Sequence, residues 1–191
     1  MAKTAIMIDL ETLSTDTDAA ILSIGAVKFD PFEDELTNPQ MDKFYARISL
    51  ENDLNLSISD STLEWWAKQS QEAQDEAFSE ENRIDIADAF DQLYKFCWGA
   101  KQVWSNGSGF DIVICETVFK RLNKLPPWKY WQVRDCRTIY DLGISPNLPK
   151  VTAHDALEDA IAQAIGVQQV CNTLRYSITD NGDRITPFSK R

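Results

Sequence analysis

The chain opens on Ala5-Ile6-Met7-Ile8, an apolar run fit for a buried strand, and passes at once into Asp9-Leu10-Glu11-Thr12. Side chains two apart on a strand point to the same side, so Asp9 and Glu11 are expected to project together where the strand gives way to loop. After a polar link from Ser14 to Asp18, Ile21–Phe29 predicts a second strand, ended by Asp30-Pro31. Phe44–Ile48 predicts a third. Three strands joined by short links predict an antiparallel meander.

Beyond an irregular connection from Asn52 to Ser59 the period changes. Ser61-Thr62-Leu63-Glu64 matches a capping box and predicts the start of a helix containing Trp65-Trp66. Helical neighbours diverge by about 100°, so one indole is expected inside and the other either at a cleft rim, where a base can stack on it, or in boundary packing. Residues 69–82 are polar and weakly helical. Ile86, Phe90, Leu93 and Cys97 recur at helical spacing and predict an amphipathic helix over 84–97. Val103-Trp104-Ser105 predicts a short strand. The turn Asn106–Gly109 leads through Phe110 to Asp111 at the N-terminus of a helix reaching Leu122. A strand over Trp131–Cys136 and a short helix from Arg137 to Leu142 follow. Thr152–Asp159 opens a long helix to about Leu174, its buried side marked by Leu157, Ile161, Ala164 and Cys171. Asp180–Asp183 in the tail, between Ile178 and Ile185, is a candidate hairpin turn.

A length of 191 residues suits one domain with a substantial core, and 43% hydrophobic with 26% charged residues is a globular composition. No apolar run approaches the roughly 20 residues that cross a bilayer, and the N-terminus lacks a signal-peptide layout, so the expectation is a cytoplasmic protein (host cytoplasm if phage-encoded) without a membrane partner. Cys97, Cys115, Cys136 and Cys171 lie far apart, which reads as reduced core thiols and gives no zinc site. The net charge of −11 argues against broad electrostatic capture of nucleic acid. It is uneven: residues 1–100 hold 21 acids and 7 bases, residues 101–191 hold 9 and 12. The basic concentration is Lys120, Arg121, Lys124, Lys129, Arg134 and Arg137.

Two adjacent anions repel, and a hard divalent cation held by oxygen ligands relieves that repulsion. His154 is the sole histidine and lies beside the first turn of the last helix. Asp159, five residues on, meets the first strand if that helix packs on the sheet beside Asp9 and Glu11. Asp111 alone reads as a helix cap, and Asp155 and Glu158 as first-turn acids.

Taken together, Asp9-Leu10-Glu11, Gly109-Phe110-Asp111 and His154–Asp159 resemble the three motifs of the DEDDh 3′–5′ exonucleases, the DnaQ-like branch of the ribonuclease H-like superfamily. The resemblance covers roughly residues 4–174. Thr62–Trp66 is similar to a subgroup of small phage and bacterial exonucleases with a Trp-Trp pair, related to a mycobacterial exoribonuclease-like domain. The residues after the first Glu, Thr12-Leu13-Ser14, depart from the family's usual small ones. The resemblance implies an α/β fold with a mixed five-stranded sheet, three antiparallel strands and then parallel ones, with helices on both faces. It implies an exonuclease domain over 1–175 and a tail over 176–191. It implies two Mg²⁺ or Mn²⁺ ions on Asp9, Glu11, Asp111 and Asp159, with His154 as general base. Thr12, Leu13, Trp65, Trp66, Ser108 and Phe110 would contact the substrate. The expected partner is the single-stranded 3′ end of DNA, slightly favoured, or of RNA. No nucleotide cofactor is expected, and the oligomeric state stays open. An alternative of another class is a non-catalytic module binding nucleic-acid ends.

Overall fold

In the computed structural model, residues 5–32, 42–149 and 154–176 are described. The candidate hairpin of the tail lies outside them. Strands β1 (Ala5–Thr12), β2 (Ile21–Phe29) and β3 (Lys43–Ile48) form the meander. β4 (Arg83–Ile84), β5 (Gln102–Ser105) and β6 (Val133–Asp135) extend it to a mixed sheet ordered β4-β3-β2-β1-β5-β6. The β1–β2 and β2–β3 pairs are antiparallel; β1–β5, β5–β6 and β3–β4 are parallel.

The sixth strand corrects the five-strand expectation. β4 is two residues long, too short to show a period, and the helical spacing of the segment that follows absorbs Ile84. The side chain of Asp85 ends that ambiguity: it accepts the N–H groups of Ala87 and Asp88 and starts the helix at Ile86.

Helices cover both faces. α1 (Asp60–Trp66) and α2 (Gln71–Phe78) precede α3 (Ile86–Cys97); α4 (Asp111–Arg121), α5 (Cys136–Tyr140) and α6 (Ala156–Tyr176) follow. The N-cap of α1 is Ser59, which accepts from the Thr62 N–H, and not the expected Ser61. The alternation along β1 sorts the two cores. Ile6, Ile8 and Leu10 join the core that contains Phe90, Leu93, Cys115 and Phe119 of α3 and α4. Ala5 and Met7 face the other way, against Ala160, Ala164 and Val167 of α6. Asp9 and Glu11 continue this second row, so the strand that is apolar under the body of α6 carries carboxylates under its N-terminus.

α6 reaches the sheet closely because its inner line is small. Ala156, Ala160, Ala164 and Val167 are fully buried along it, while the expected Leu157, Ile161 and Cys171 pack half-buried beside them. Gly25 of β2, the register partner of Asp9, lies directly beneath. A Cβ there would overlap the Ala156 carbonyl and the Leu157 nitrogen, closer than atoms can approach. That close approach sets the position of everything α6 contributes.

Candidate active site

β1 and β5 run parallel, and their C-terminal ends open onto a cleft of about 500 Å³. Ligands favour this end of a parallel sheet. Asp9, Glu11, Asp111, His154 and Asp159 all line the cleft. Three separate elements deliver them.

β1 supplies Asp9 and Glu11. The ladder with β2 shifts register between Glu11 and Thr12, which ends regular pairing just past the second carboxylate. α4 supplies Asp111 as its first residue. Phe110 is the N-cap, and the Asp111 carboxylate is not spent on capping. It reaches across to accept the Leu10 N–H at 3.3 Å, which ties the start of α4 to β1. The turn before it is held by Phe110 N–H to Gly107 O at 2.8 Å.

α6 supplies the rest. Asp155 caps it, accepting from Leu157 N–H at 2.9 Å and Glu158 N–H at 3.0 Å. His154 stands one residue before the cap at φ 67°, a left-handed conformation that histidine tolerates better than most side chains. Its backbone N–H donates to Asp159 Oδ2 at 3.2 Å, closing the turn upon the acid. Its ring packs edge-on against Trp65 at 4.7 Å and Trp66 at 5.8 Å between centroids. Trp66 is in turn fixed by its indole N–H, which donates to Thr12 O at 2.9 Å.

The electrostatics are those of crowded, buried anions. Glu11 is 7% exposed and Asp111 4%. Burial, then the charges of Asp159, Asp111 and Asp155, push Glu11 up from its ordinary 4.5 to about 8. Burial raises Asp111 to about 7 against hydrogen bonds that favour its charged form. Burial and then the charges of Asp111 and Glu11 hold Asp9 well above the usual carboxylate range, and burial raises Asp159. One donor atom each of Glu11, His154 and Asp159 lie within 4.8 Å of one another. A carboxylate-rich set whose protons are held this tightly fits a hard divalent cation such as Mg²⁺ or Mn²⁺. Cation binding supplies the positive charge that the protons otherwise provide.

Among the expected substrate contacts, Thr12, Trp65, Trp66 and Phe110 line a second, largely apolar pocket of about 360 Å³. Leu10, Glu11, Trp65 and Phe110 line both spaces. Trp65 is 42% exposed at their shared rim while Trp66 is buried, the division expected of helical neighbours. Leu13 departs from expectation. It turns inward to pack with Leu22, Ala73 and Trp66, because the register shift after Glu11 sends the chain back into the core. Ser108 also lies off the cleft: its N–H donates to Asp135 Oδ2 at 2.6 Å, and it lines a separate depression beside β6.

Two cleft residues escape the sequence reading. Gln163 donates from Nε2 to Asp9 Oδ1 at 2.7 Å. It follows Asp159 by four residues, so a common helical face is the signal available. Arg137 lines the cleft from the first turn of α5. Only its place in the basic segment marks it.

Over residues 4–171 the chain matches the 3′–5′ exoribonuclease Rv2179c-like domain. The chain belongs to that family. It is a 3′–5′ exonuclease. The exodeoxyribonuclease of Enterobacteria phage T4 is 27% identical over 214 residues, covering 90% of this chain and 89% of its own. E. coli ExoI in a zinc-bound complex with ssDNA superposes with a TM-score of 0.57 at 16% identity over 86% of this chain, which spans 40% of ExoI. Pop2p of S. pombe, in an Mg²⁺- and Mn²⁺-bound form, gives 0.56 at 14% identity over 94% of this chain and 87% of that one. The nuclease domain of 3′hExo, a DEDDh family member bound to rAMP, gives 0.53 at 14% identity over 91% and 92%. At these identities the structural likeness concerns the fold. No helix among the described residues is long and apolar enough to cross a membrane.

Proposed function

We propose that this exonuclease removes nucleoside 5′-monophosphates one at a time from the single-stranded 3′ end of a nucleic acid, DNA slightly ahead of RNA. The observation that carries the reading is the convergence of Asp9, Glu11, Asp111, Asp159 and His154 on one cleft that shares its rim with an apolar pocket. The cleft suits the phosphate and the pocket suits the terminal base.

Asp9, Glu11, Asp111 and Asp159 would hold two divalent cations, Mg²⁺ or Mn²⁺. Such a pair supplies charge stabilisation for the attacking and leaving oxygens of an in-line displacement. Through a ring nitrogen His154 accepts the proton of the attacking water, and the Trp65 and Trp66 edges restrict how that ring turns. Gln163 fixes the Asp9 carboxylate through one oxygen. Trp65 and Phe110, at the rim of both spaces, stack against the terminal base and exclude water from the reacting phosphate. Thr12 and Trp66 shape the pocket wall. Leu13 supports that wall from behind, and Ser108 contributes no contact at the reacting end.

The phage exodeoxyribonuclease, alike over nine-tenths of both chains, supports DNA. The family's description as exoribonuclease supports RNA as the second reading. Digestion of matched 5′-labelled DNA and RNA strands, each with Mg²⁺ and with Mn²⁺, decides between them. The expected result is a ladder shortening from the 3′ end with mononucleotide 5′-phosphates released. End binding without any metal-dependent shortening would instead mark a module that holds nucleic-acid ends without cutting them.

A further inference from the structure

The edge of the sheet leads away from the cleft. β6 pairs with β5 on one side and, among the described residues, has no strand on the other. At its C-terminal end Arg137 lines the catalytic cleft. In its middle Arg134 lines a depression of about 320 Å³ with Ser108 and Thr138. Before its N-terminal end stand Tyr130 and Trp131, ring centroids 5.0 Å apart and edge to face, exposed by 85% and 60%. At strand rise, Trp131 to Arg137 spans at most about 20 Å.

Arg137 faces the cleft acids and acts on Asp111, whereas Arg134 faces outward with no acid paired to it among the described residues. Among the described residues the ion pairs join Arg47 to Glu76, Arg83 to Glu80, Arg121 to Asp18 and Lys124 to Asp91, and neither Arg134 nor Arg137 takes part in one. Arg134 donates from Nη1 to Trp131 O at 2.7 Å and Val133 O at 2.8 Å, which fastens the guanidinium to the edge without neutralising it. The acid of the strand, Asp135, lines the same depression and keeps its charge, its oxygens turned to the N–H groups of Ser108 and Arg137. In a protein of net charge −11, an arginine without an ion pair beside two solvent-facing aromatic rings, on the edge that leads to the cleft, is an exception. Cations that follow a phosphate backbone, with rings on which bases stack, are the elements of a single-strand platform.

We infer that the β6 edge carries the stretch of single strand leading to the 3′ end held in the cleft. The inference rests on the single-strand reading proposed above and adds a second binding surface outside the cleft. Bases stack on Trp131 and Tyr130, and Arg134 holds a phosphate between them and Arg137.

The test compares wild type with Trp131→Ala, Arg134→Ala and the double variant on two substrates. One is a long single-stranded homopolymer of the preferred sugar, the other the p-nitrophenyl ester of thymidine 5′-monophosphate, too short to leave the cleft. Losing one stacked base raises KM on the long strand roughly tenfold. kcat and ester hydrolysis stay at wild-type values. Arg134→Ala also lowers the slope of log affinity against log salt by about 0.7, and Arg134→Lys restores it. An unchanged KM on the long strand overturns the inference, and so does an equal loss on both substrates, which would place these residues in the cleft or the fold. A wild-type enzyme that hydrolyses the ester but never shortens a single strand overturns the single-strand reading itself.

Discussion

Glu11 holds its proton up to about pH 8 in the folded chain, against an ordinary value of 4.5. Below about 4.5 the group is protonated folded or unfolded, and the stabilisation relative to the charged form is fully present. Between the two values the folded state binds more protons, so stability falls as pH rises, and the contribution is lost through about 8. Thermal unfolding in EDTA across this range is therefore expected to show wild type weakening with pH, whereas Glu11→Gln follows a flatter curve. Adding Mg²⁺ should raise the wild-type midpoint more at pH 8 than at pH 5, since cation and proton compete for the same oxygens. Asp9→Asn is expected to abolish nearly all turnover while leaving circular dichroism unchanged. Purified Asp9→Asn protein with substantial nuclease activity would remove that residue from the metal site. For His154→Ala the loss should be on the order of 10²–10⁴-fold in kcat with the acids still binding cation, as expected when a general base is removed. A rate equal to wild type across the pH range would exclude the base role. The carboxylates and the histidine are legible in the sequence because each sits at an element end in a short motif. Gln163 and Arg137 are not, because a lone amide in a helix and a lone arginine in a basic segment carry no pattern of their own. Leu13 defies its sequence reading for a local reason: the register shift after Glu11 turns it inward, and such a shift leaves no trace in alternation.

At the scale of elements, α6 decides whether the site exists. Its N-terminus rests on Gly25, where a methyl group would overlap the backbone of Ala156 and Leu157. Gly25→Ala is expected to destabilise the fold by about 1–3 kcal/mol through overpacking. The helix start must then lift away, carrying His154 and Asp159 with it. Misplacement of about 1 Å costs on the order of 10²-fold in rate, so steady-state kinetics should show a loss of kcat out of proportion to the change in Tm. A Gly25→Ala enzyme working at full rate would show that the approach is looser than described. The long strands and α6 can be read from periodicity, because eight or more residues sample a period several times. β4, with two residues, samples none. Ser61 competes with Ser59 as the cap of α1 because both precede a helical run, and only the hydrogen bond from Thr62 distinguishes them.

On the scale of the whole molecule, the sheet order brings together segments 9–11, 111 and 154–159 that local sequence holds far apart. The fold class can be anticipated because three strands with short links followed by alternating strand and helix leave few arrangements. How closely α6 meets the sheet cannot, since it depends on Gly25 facing a line of alanines from across the chain.

The order of these segments along the chain has a consequence for synthesis. Asp9, Glu11 and Asp111 leave the ribosome well before His154 and Asp159, which stand at the start of the last described helix. A nascent chain halted before His154 holds three of the acids but neither the proposed base nor the fourth carboxylate. On the proposed reading such a chain has no hydrolytic activity, and a protein truncated before His154 is expected to release no mononucleotides.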